Sequence, residues 1–393
     1  MTTTRRYSLA STTWGMAEIE AVTELARAQT TSMGGAVFSF EKEFATFVGA
    51  KHAVMVNSGS SANLLMTAAL FFTQPEPRLK TGDEIVVPAI SWPTTYYPLQ
   101  QYGLRLKFVD VDLHTLNYDL EALETAVSHK TRAIMAVNLL GNPNNFDVIS
   151  DIIGNRDIIL LEDNCESLGA TFGGRYAGSI GLMGTYSFFF SHHISTMEGG
   201  MIVTNDDHLH DLLLCLRAHG WTRNLQKENT LCVKSENPFE ESFRFLLPGY
   251  NVRPLEMEGA IGREQLKKLP GFLAARRKNA KHFLSLFSDN PHFMVQQGIG
   301  APSWFGFSLV LRPGSPLKRN QVAATLLGNK VECRQIVSGN FAAKDVMRYF
   351  DYSISGTLAN AEYVDANGLF IGNDHVDHAE DLNRVHSILL SLA

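Results

Sequence analysis

From residue 52 to residue 204 the chain alternates short apolar runs with helix-patterned stretches, and this alternation constrains the fold more than any other feature. Runs at 52–57, 84–89, 105–109, 132–138, 157–161, 186–190 and 201–204 read as strands, and 62–72, 120–128 and 207–217 as helices. Strands this apolar with helices between them are buried on both faces, which predicts an α/β fold with a mostly parallel seven-stranded sheet flanked by helices. After Pro270 a basic helix over 274–287 and a strand in "SWFGFSLVL" predict a smaller C-terminal α+β domain. The expected division is 1–265, a large domain with an N-terminal helical segment, and 266–393, with the polar stretch 225–241 read as a linker.

Ligands in such folds collect at the carboxyl ends of the strands. Polar clusters fall there at 58–61, 90–92, 162–166 and 191–193. In "NSGSSANLL" a strand ends in Ser-Gly-Ser-Ser and opens a helix, presenting N–H groups and hydroxyls to an anion. Taken alone, the letters favour the plainer reading of an N-capped helix after a tight turn. Asp163 ends a buried strand, where a carboxylate is costly unless it meets a cation or donor; a helix N-terminal charge is the alternative. Trp92 either stacks on a flat ring or packs in the core. His219 and Arg223 follow an apolar helix, as caps on it or as ligand-binding groups. The adjacent His192 and His193 read as surface, as satisfied core groups or as a base, and the Gly pair after Glu198 predicts a turn with close backbone approach.

Together these pieces resemble the sugar aminotransferase (DegT/StrS) branch of the fold-type I, aspartate aminotransferase-like, pyridoxal-phosphate enzymes. The resemblance runs through "NSGSSANLL", "GDEIVVPAISWPTT", "LLEDNCESLGATFGGRYAGSIGLMGTYSF" and "YNVRPLEMEGAIG", in the family's order. It implies that Gly59, Ser60, Ser61 and Ser187 hold the cofactor phosphate, that Asp163 pairs with the pyridine nitrogen, that Trp92 stacks on the ring and that Glu166 sits near its hydroxyl. It also implies that Asn251 reaches the phosphate from a neighbouring subunit, so that a homodimer shares its active sites.

The family pattern S-F-x-x-x-K-x-x-x-x-x-E-G-G carries a lysine that forms a Schiff base with the cofactor. Counting from Ser187 and from Glu198 puts His192, not His193, in that slot, and no lysine occurs between Lys130 and Lys227. Imidazole cannot form the Schiff base, so pyridoxal 5'-phosphate or pyridoxamine 5'-phosphate is expected to be held without a covalent bond. Imidazole can still act as a base near neutral pH. This is similar to the family's 3-dehydratases, closest to those acting on GDP-4-keto-6-deoxy-D-mannose. The reaction implied removes the sugar's C3 hydroxyl with His192 as catalytic residue, yields a 4-keto-3,6-dideoxy sugar for colitose and lipopolysaccharide O-antigen, and regenerates the amine form from glutamate. His219, Arg223, Arg253 and Arg334 are expected to touch the substrate, the arginines at its diphosphate. The guanine itself rests on the resemblance alone.

The alternatives are an enzyme acting on another nucleotide-linked 4-keto-6-deoxy sugar, an ordinary aminotransferase, and a homologue that binds without catalysing. An iron–sulfur-dependent dehydrase needs clustered cysteines, whereas Cys165, Cys215, Cys232 and Cys333 are scattered; this spacing signals neither a cluster nor a metal and suits a reducing cytoplasm. The net charge of -6 argues against nucleic acid or a membrane surface as partner. The start, MTTTRRYSLASTTWG, reads as neither a signal peptide nor an anchor.

Overall fold

A computed structural model describes residues 6–392, so the first five residues of that start lie outside the described part. Eight strands form the large sheet: β1 (His52–Val56), β2 (Glu84–Pro88), β3 (Arg105–Val109), β4 (Thr131–Val137), β5 (Ile159–Asp163), β6 (Met183–Ser187), β7 (Gly200–Thr204) and β8 (Tyr352–Ile354). Their order is β1-β7-β6-β5-β4-β2-β3-β8. Only β7 runs against its neighbours; β8 pairs in parallel with β3, Tyr352 opposite Leu106. The expected seventh-strand count therefore becomes eight. The extra strand is three residues long and wholly exposed, so it carries no apolar run to betray it.

Two strands are displaced from their expected positions. The strand expected at 157–161 lies at Ile159–Asp163, which makes Asp163 its last residue, and the one expected at 186–190 lies at Met183–Ser187. Gly184 explains the second shift: a Cβ there would lie 1.9 Å from the Gly178 carbonyl oxygen, so an unapolar "MGT" is buried by close backbone packing. Phe189 and Phe190 leave the sheet and are exposed.

Helix α1 (Gly59–Phe71) follows β1, with the Ser58 side chain accepting from the Ser61 N–H as N-cap. Helix α2 (Asp207–Arg217) is capped by Asp206, which accepts from His208 and Leu209 N–H. Helix α3 (Glu256–Phe287) runs 32 residues and passes straight through Pro270. Proline gives up only one ladder bond, and packing on both sides holds the helix across it. The residue 265/266 boundary thus falls inside one helix. Its first half packs Leu266, Leu269 and Leu273 against Phe40 and Phe188; its second half packs Phe283 and Phe287 against Phe307 and Leu382.

That second cluster surrounds an antiparallel sheet of Phe293–Met294, Gly306–Leu311, Gly368–Gly372 and Cys333–Arg334. The segment at Tyr7 is stitched to it: Tyr7 bridges Val331 and its hydroxyl donates to the Gly372 carbonyl at 2.5 Å. Residues 225–241 are not a loose linker. Lys234 Nζ donates to the Thr222 and Leu225 carbonyls, and the Glu241 carboxylate accepts from Ser235 N–H. No helix among the described residues is long and apolar enough to cross a membrane.

Candidate active site

The carboxyl ends of β1, β2, β4, β5 and β6 open into one cavity of about 510 Å³, lined also by Leu9, Ala10, Phe305, Glu332, Arg334 and Phe370. Gly59 and Ser60, at the start of α1, line it together with Ser187. The N-cap reading of "NSGSS" holds, and the same turn borders the cavity. Ser58 and Ser61 form the cap, with Ser61 Oγ donating to Asn57 Oδ1 at 2.7 Å, while Gly59 and Ser60 face the cavity at the helix's positive end. Ser61 itself does not line the cavity. Gly200 packs under this turn, where a Cβ would lie 2.3 Å from the Ser58 carbonyl oxygen, so the expected close approach after Glu198 is present.

Asp163 is buried, 5 % exposed, and lines the cavity. Its carboxylate accepts from Thr95 Oγ1 at 2.7 Å, from Asn63 Nδ2 at 2.8 Å and from Cys165 N–H at 3.2 Å. Asn63 is in turn held by Thr185, whose hydroxyl donates to Asn63 Oδ1 at 2.7 Å. This answers the cost of burying the charge and disposes of the helix-terminus reading. Asn63, Thr95 and Thr185 were not expected at the site; the available signal was a polar residue on the sheet-facing side of an otherwise apolar α1.

Glu166 lines the same cavity, accepting from the Leu140 N–H at 3.0 Å. Burial pushes its pKa up to about 7; the Leu140 bond pulls it down, and the nearby Asp163 charge pushes it further up. The neighbouring Cys165 thiol, also at the wall, is pushed well up by burial and then by Asp163.

His192 and His193 part company. His193 is fully buried, a core group with Nε2 against the Ser303 carbonyl at 3.3 Å and Nδ1 without a partner. His192 lines the cavity, its ring edge-to-face on Phe305 at 5.2 Å between centroids. Burial pulls its pKa down to about 3, with the Arg276 charge adding to the effect, so the imidazole is neutral at physiological pH. Its Nδ1 is sealed without a hydrogen-bond partner, which leaves Nε2 to exchange protons with the cavity. No lysine lines this cavity.

Trp92 is 57 % exposed at the cavity rim and packs in no core. Of the expected substrate arginines only Arg334 reaches the cavity, and among the described residues it is the sole Lys or Arg there. Arg253 lies outside it, as do His219 and Arg223, which both pack on Trp221, with the His219 ring 5.4 Å and the guanidinium 5.8 Å from the indole centroid. Asn251 is exposed and also outside. A helix N-terminus, a buried hydrogen-bonded carboxylate and a free aromatic face around one cavity fit a flat, phosphorylated ring with a cationic ring nitrogen.

Residues 13–389 match the DegT/DnrJ/EryC1/StrS aminotransferase family. The chain belongs to that family. Within the DegT/DnrJ/EryC1/StrS family it is 58 % identical over 385 residues to GDP-4-keto-6-deoxy-D-mannose 3-dehydratase of Escherichia coli O55:H7, covering 98 % of this chain and 99 % of that one. Two solved structures superpose with a TM-score of 0.96 at 58 % identity, covering 98 % of this chain and all of theirs. One is GDP-4-keto-6-deoxymannose-3-dehydratase with a trapped PLP-glutamate geminal diamine. The other is a variant of that enzyme with bound GDP-perosamine. An α/β sheet with helices on both faces is what the family's fold requires, and it is what this member has.

Proposed function

We propose that the protein is a GDP-4-keto-6-deoxy-D-mannose 3-dehydratase that uses pyridoxal/pyridoxamine 5'-phosphate and glutamate. The observation that carries this reading is a cavity wall bearing His192 and no lysine, in a chain so similar to enzymes of that activity. The cofactor, when bound as the amine, supplies a nitrogen for the sugar's C4 ketone and a ring that accepts electrons.

The chain's own residues divide the remaining work. The α1 N-terminus, through Gly59 and Ser60 with Ser187, holds the phosphate; the Asp163 carboxylate keeps a ring nitrogen protonated; Trp92 covers one ring face. Glu166, with its pKa near 7, shares a proton with a ring hydroxyl. His192 takes up a proton at Nε2 and returns it to the same face, aiding loss of the C3 hydroxyl. Arg334, the lone cation of the wall among the described residues, meets an anionic group of the sugar nucleotide or of glutamate. Asn251, exposed and outside its own cavity, serves the site of a second copy in a homodimer. Exposed Trp92, Phe189, Phe190, Phe243, Phe245 and Leu255 support such an interface. The same reading places the enzyme in the cytoplasm, with its four cysteines free.

The test supplies GDP-4-keto-6-deoxymannose, pyridoxal phosphate and glutamate. Release of ammonia and 2-oxoglutarate with a 3-deoxygenated sugar is expected; accumulation of a stable 4-amino sugar would replace the reading with aminotransfer.

A further inference from the structure

Behind the histidine pair lies a strap, Ser303–Trp304–Phe305, that joins the small domain to the large. Its three carbonyls and two of its N–H groups are engaged. Ser303 N–H donates to the Gly141 carbonyl at 2.8 Å and Phe305 N–H to the Leu140 carbonyl at 3.0 Å. The Ser303 carbonyl meets His193. The Trp304 and Phe305 carbonyls accept from Arg276 Nη1 at 3.3 and 3.2 Å, and the same nitrogen donates to the Asn373 carbonyl at 2.6 Å.

Two features mark the strap as more than packing. Leu140 and Trp304, neither a glycine, both sit in the left-handed region, at φ 53°. Two such residues facing each other store strain that the surroundings must enforce. Gly141, at φ 89°, leaves no room for a side chain, since a Cβ would lie 2.3 Å from the Trp304 nitrogen. The second feature is Arg276 itself: a guanidinium 2 % exposed, bonded only to carbonyls, with Nε unpartnered. Burying such a charge without a bonded carboxylate costs more than a scaffold role needs, because a neutral donor could bridge the same carbonyls.

The strap leads to both titratable groups of the cavity. Phe305 is the back wall of His192, and Leu140, which receives the Phe305 N–H, donates its own N–H to Glu166. We propose that Arg276 is a positioning residue: by tying down Trp304 and Phe305 it sets the ring plane of His192 and, through Leu140, the N–H that holds Glu166. Its charge adds to this, since a fixed cation behind the imidazole disfavours a second one. The groups facing His192 are Arg276 and His193, with Asp163, Glu166, Glu198, Glu332 and Arg334 around the cavity. The inference rests on His192 being the base, and its test reads the ring without turnover.

The experiment labels histidine at 13Cε1 and follows ring signals against pH in the whole protein, with His192→Asn to assign the peak. Arg276→Met and Phe305→Leu are expected to move the His192 signal alike, through loss of the same edge-to-face contact. Arg276→Met should also raise its midpoint, because the repelling cation is gone. In turnover, kcat should fall on the order of 10-fold with KM unchanged, and the double variant should be no slower than either single. Arg276→Lys, which keeps the charge and one donor, should restore part of the loss. A His192 signal unmoved in folded Arg276→Met, or losses that multiply in the double variant, overturns the proposal. If Arg276→Met does not fold, Arg276→Lys decides: an unmoved signal and full kcat there overturn it, a shifted signal with reduced kcat supports it. An inactive wild type would sink the dehydratase reading and leave the NMR result standing.

Discussion

Asn63 donates to Asp163 across 100 residues of chain, 2.8 Å between Nδ2 and Oδ2, and so ties the first turns of α1 to the end of β5. With Thr95 it forms the floor on which the cavity's central charge rests. Removing either donor leaves a buried carboxylate lone pair unmet. Thr95→Val and Asn63→Leu should each lower unfolding free energy by about 1–3 kcal/mol and weaken pyridoxal phosphate binding. Thermal melts and a cofactor absorbance titration check this; unchanged values for both variants would show that the floor is not what holds Asp163.

His192→Asn should abolish sugar deoxygenation while leaving cofactor binding within about threefold, because the amide fills the same wall but takes up no proton. His192→Lys should place an amine at the aldehyde of pyridoxal phosphate and shift its visible absorbance. A lysine variant with the spectrum of free cofactor would mean that residue 192 does not face the ring.

Acid should unfold the protein through its buried histidines. Burial holds His192 at about 3 and His193 well below the ordinary 6.5, so below pH 6.5 the unfolded chain takes up protons that the folded one refuses. Their contribution is full above pH 6.5 and lost as pH falls. Glu166 and Glu258, raised from 4.5 to about 7, work the other way: their contribution is full below 4.5 and lost as pH rises to about 7. The two effects offset between pH 4.5 and 6.5, and stability should be nearly flat there. Further down, Asp374, held low by His378, joins the histidines and the curve should fall steeply. His193→Gln keeps a donor for the Ser303 carbonyl and should make the acid limb shallower by about 1.4 kcal/mol per pH unit. Urea unfolding at stepped pH measures it; an unaltered limb would mean that His193 is protonated when folded.

If Asn251 serves a second copy's cavity, two crippled proteins should repair one another. Asn251→Ala and His192→Asn, each with little activity, should recover up to about a quarter of wild-type turnover when co-refolded, since half the dimers are mixed and each mixed dimer has one intact site. Activity that stays at the sum of the two preparations would place Asn251 at its own cavity or at none.

Much of this was legible in the letters, for physical reasons that differ by element. Helix α2 matches its expected ends because Asp206 caps it and the apolar period is strong. Asp163 announced itself as a charge closing an apolar strand. The strand at Met183–Ser187 was misplaced because Phe188–Phe190 outweigh a Gly-Thr pair on any apolarity scale, although Phe189 and Phe190 serve the cavity rim and not the sheet. Thr95, Asn63 and Thr185 were invisible because a lone hydroxyl or amide has no period; only the fold brings partners 68 to 122 residues apart into one network. Arg276 read as one more basic residue on a polar helix, and nothing local distinguishes it from exposed Lys278.

Leu9 and Ala10 are a wall of the cavity, and Tyr7 just before them is held by Val331 and Gly372. On the ribosome, this segment must therefore wait for a partner made 365 residues later. The large sheet can assemble while synthesis continues, but the chamber stays open on one side until residue 372 has cleared the exit tunnel. A nascent chain can present Asp163 and the α1 N-terminus to the cofactor early, and the wall at Leu9 and Ala10 is fixed only after Gly372 has been made.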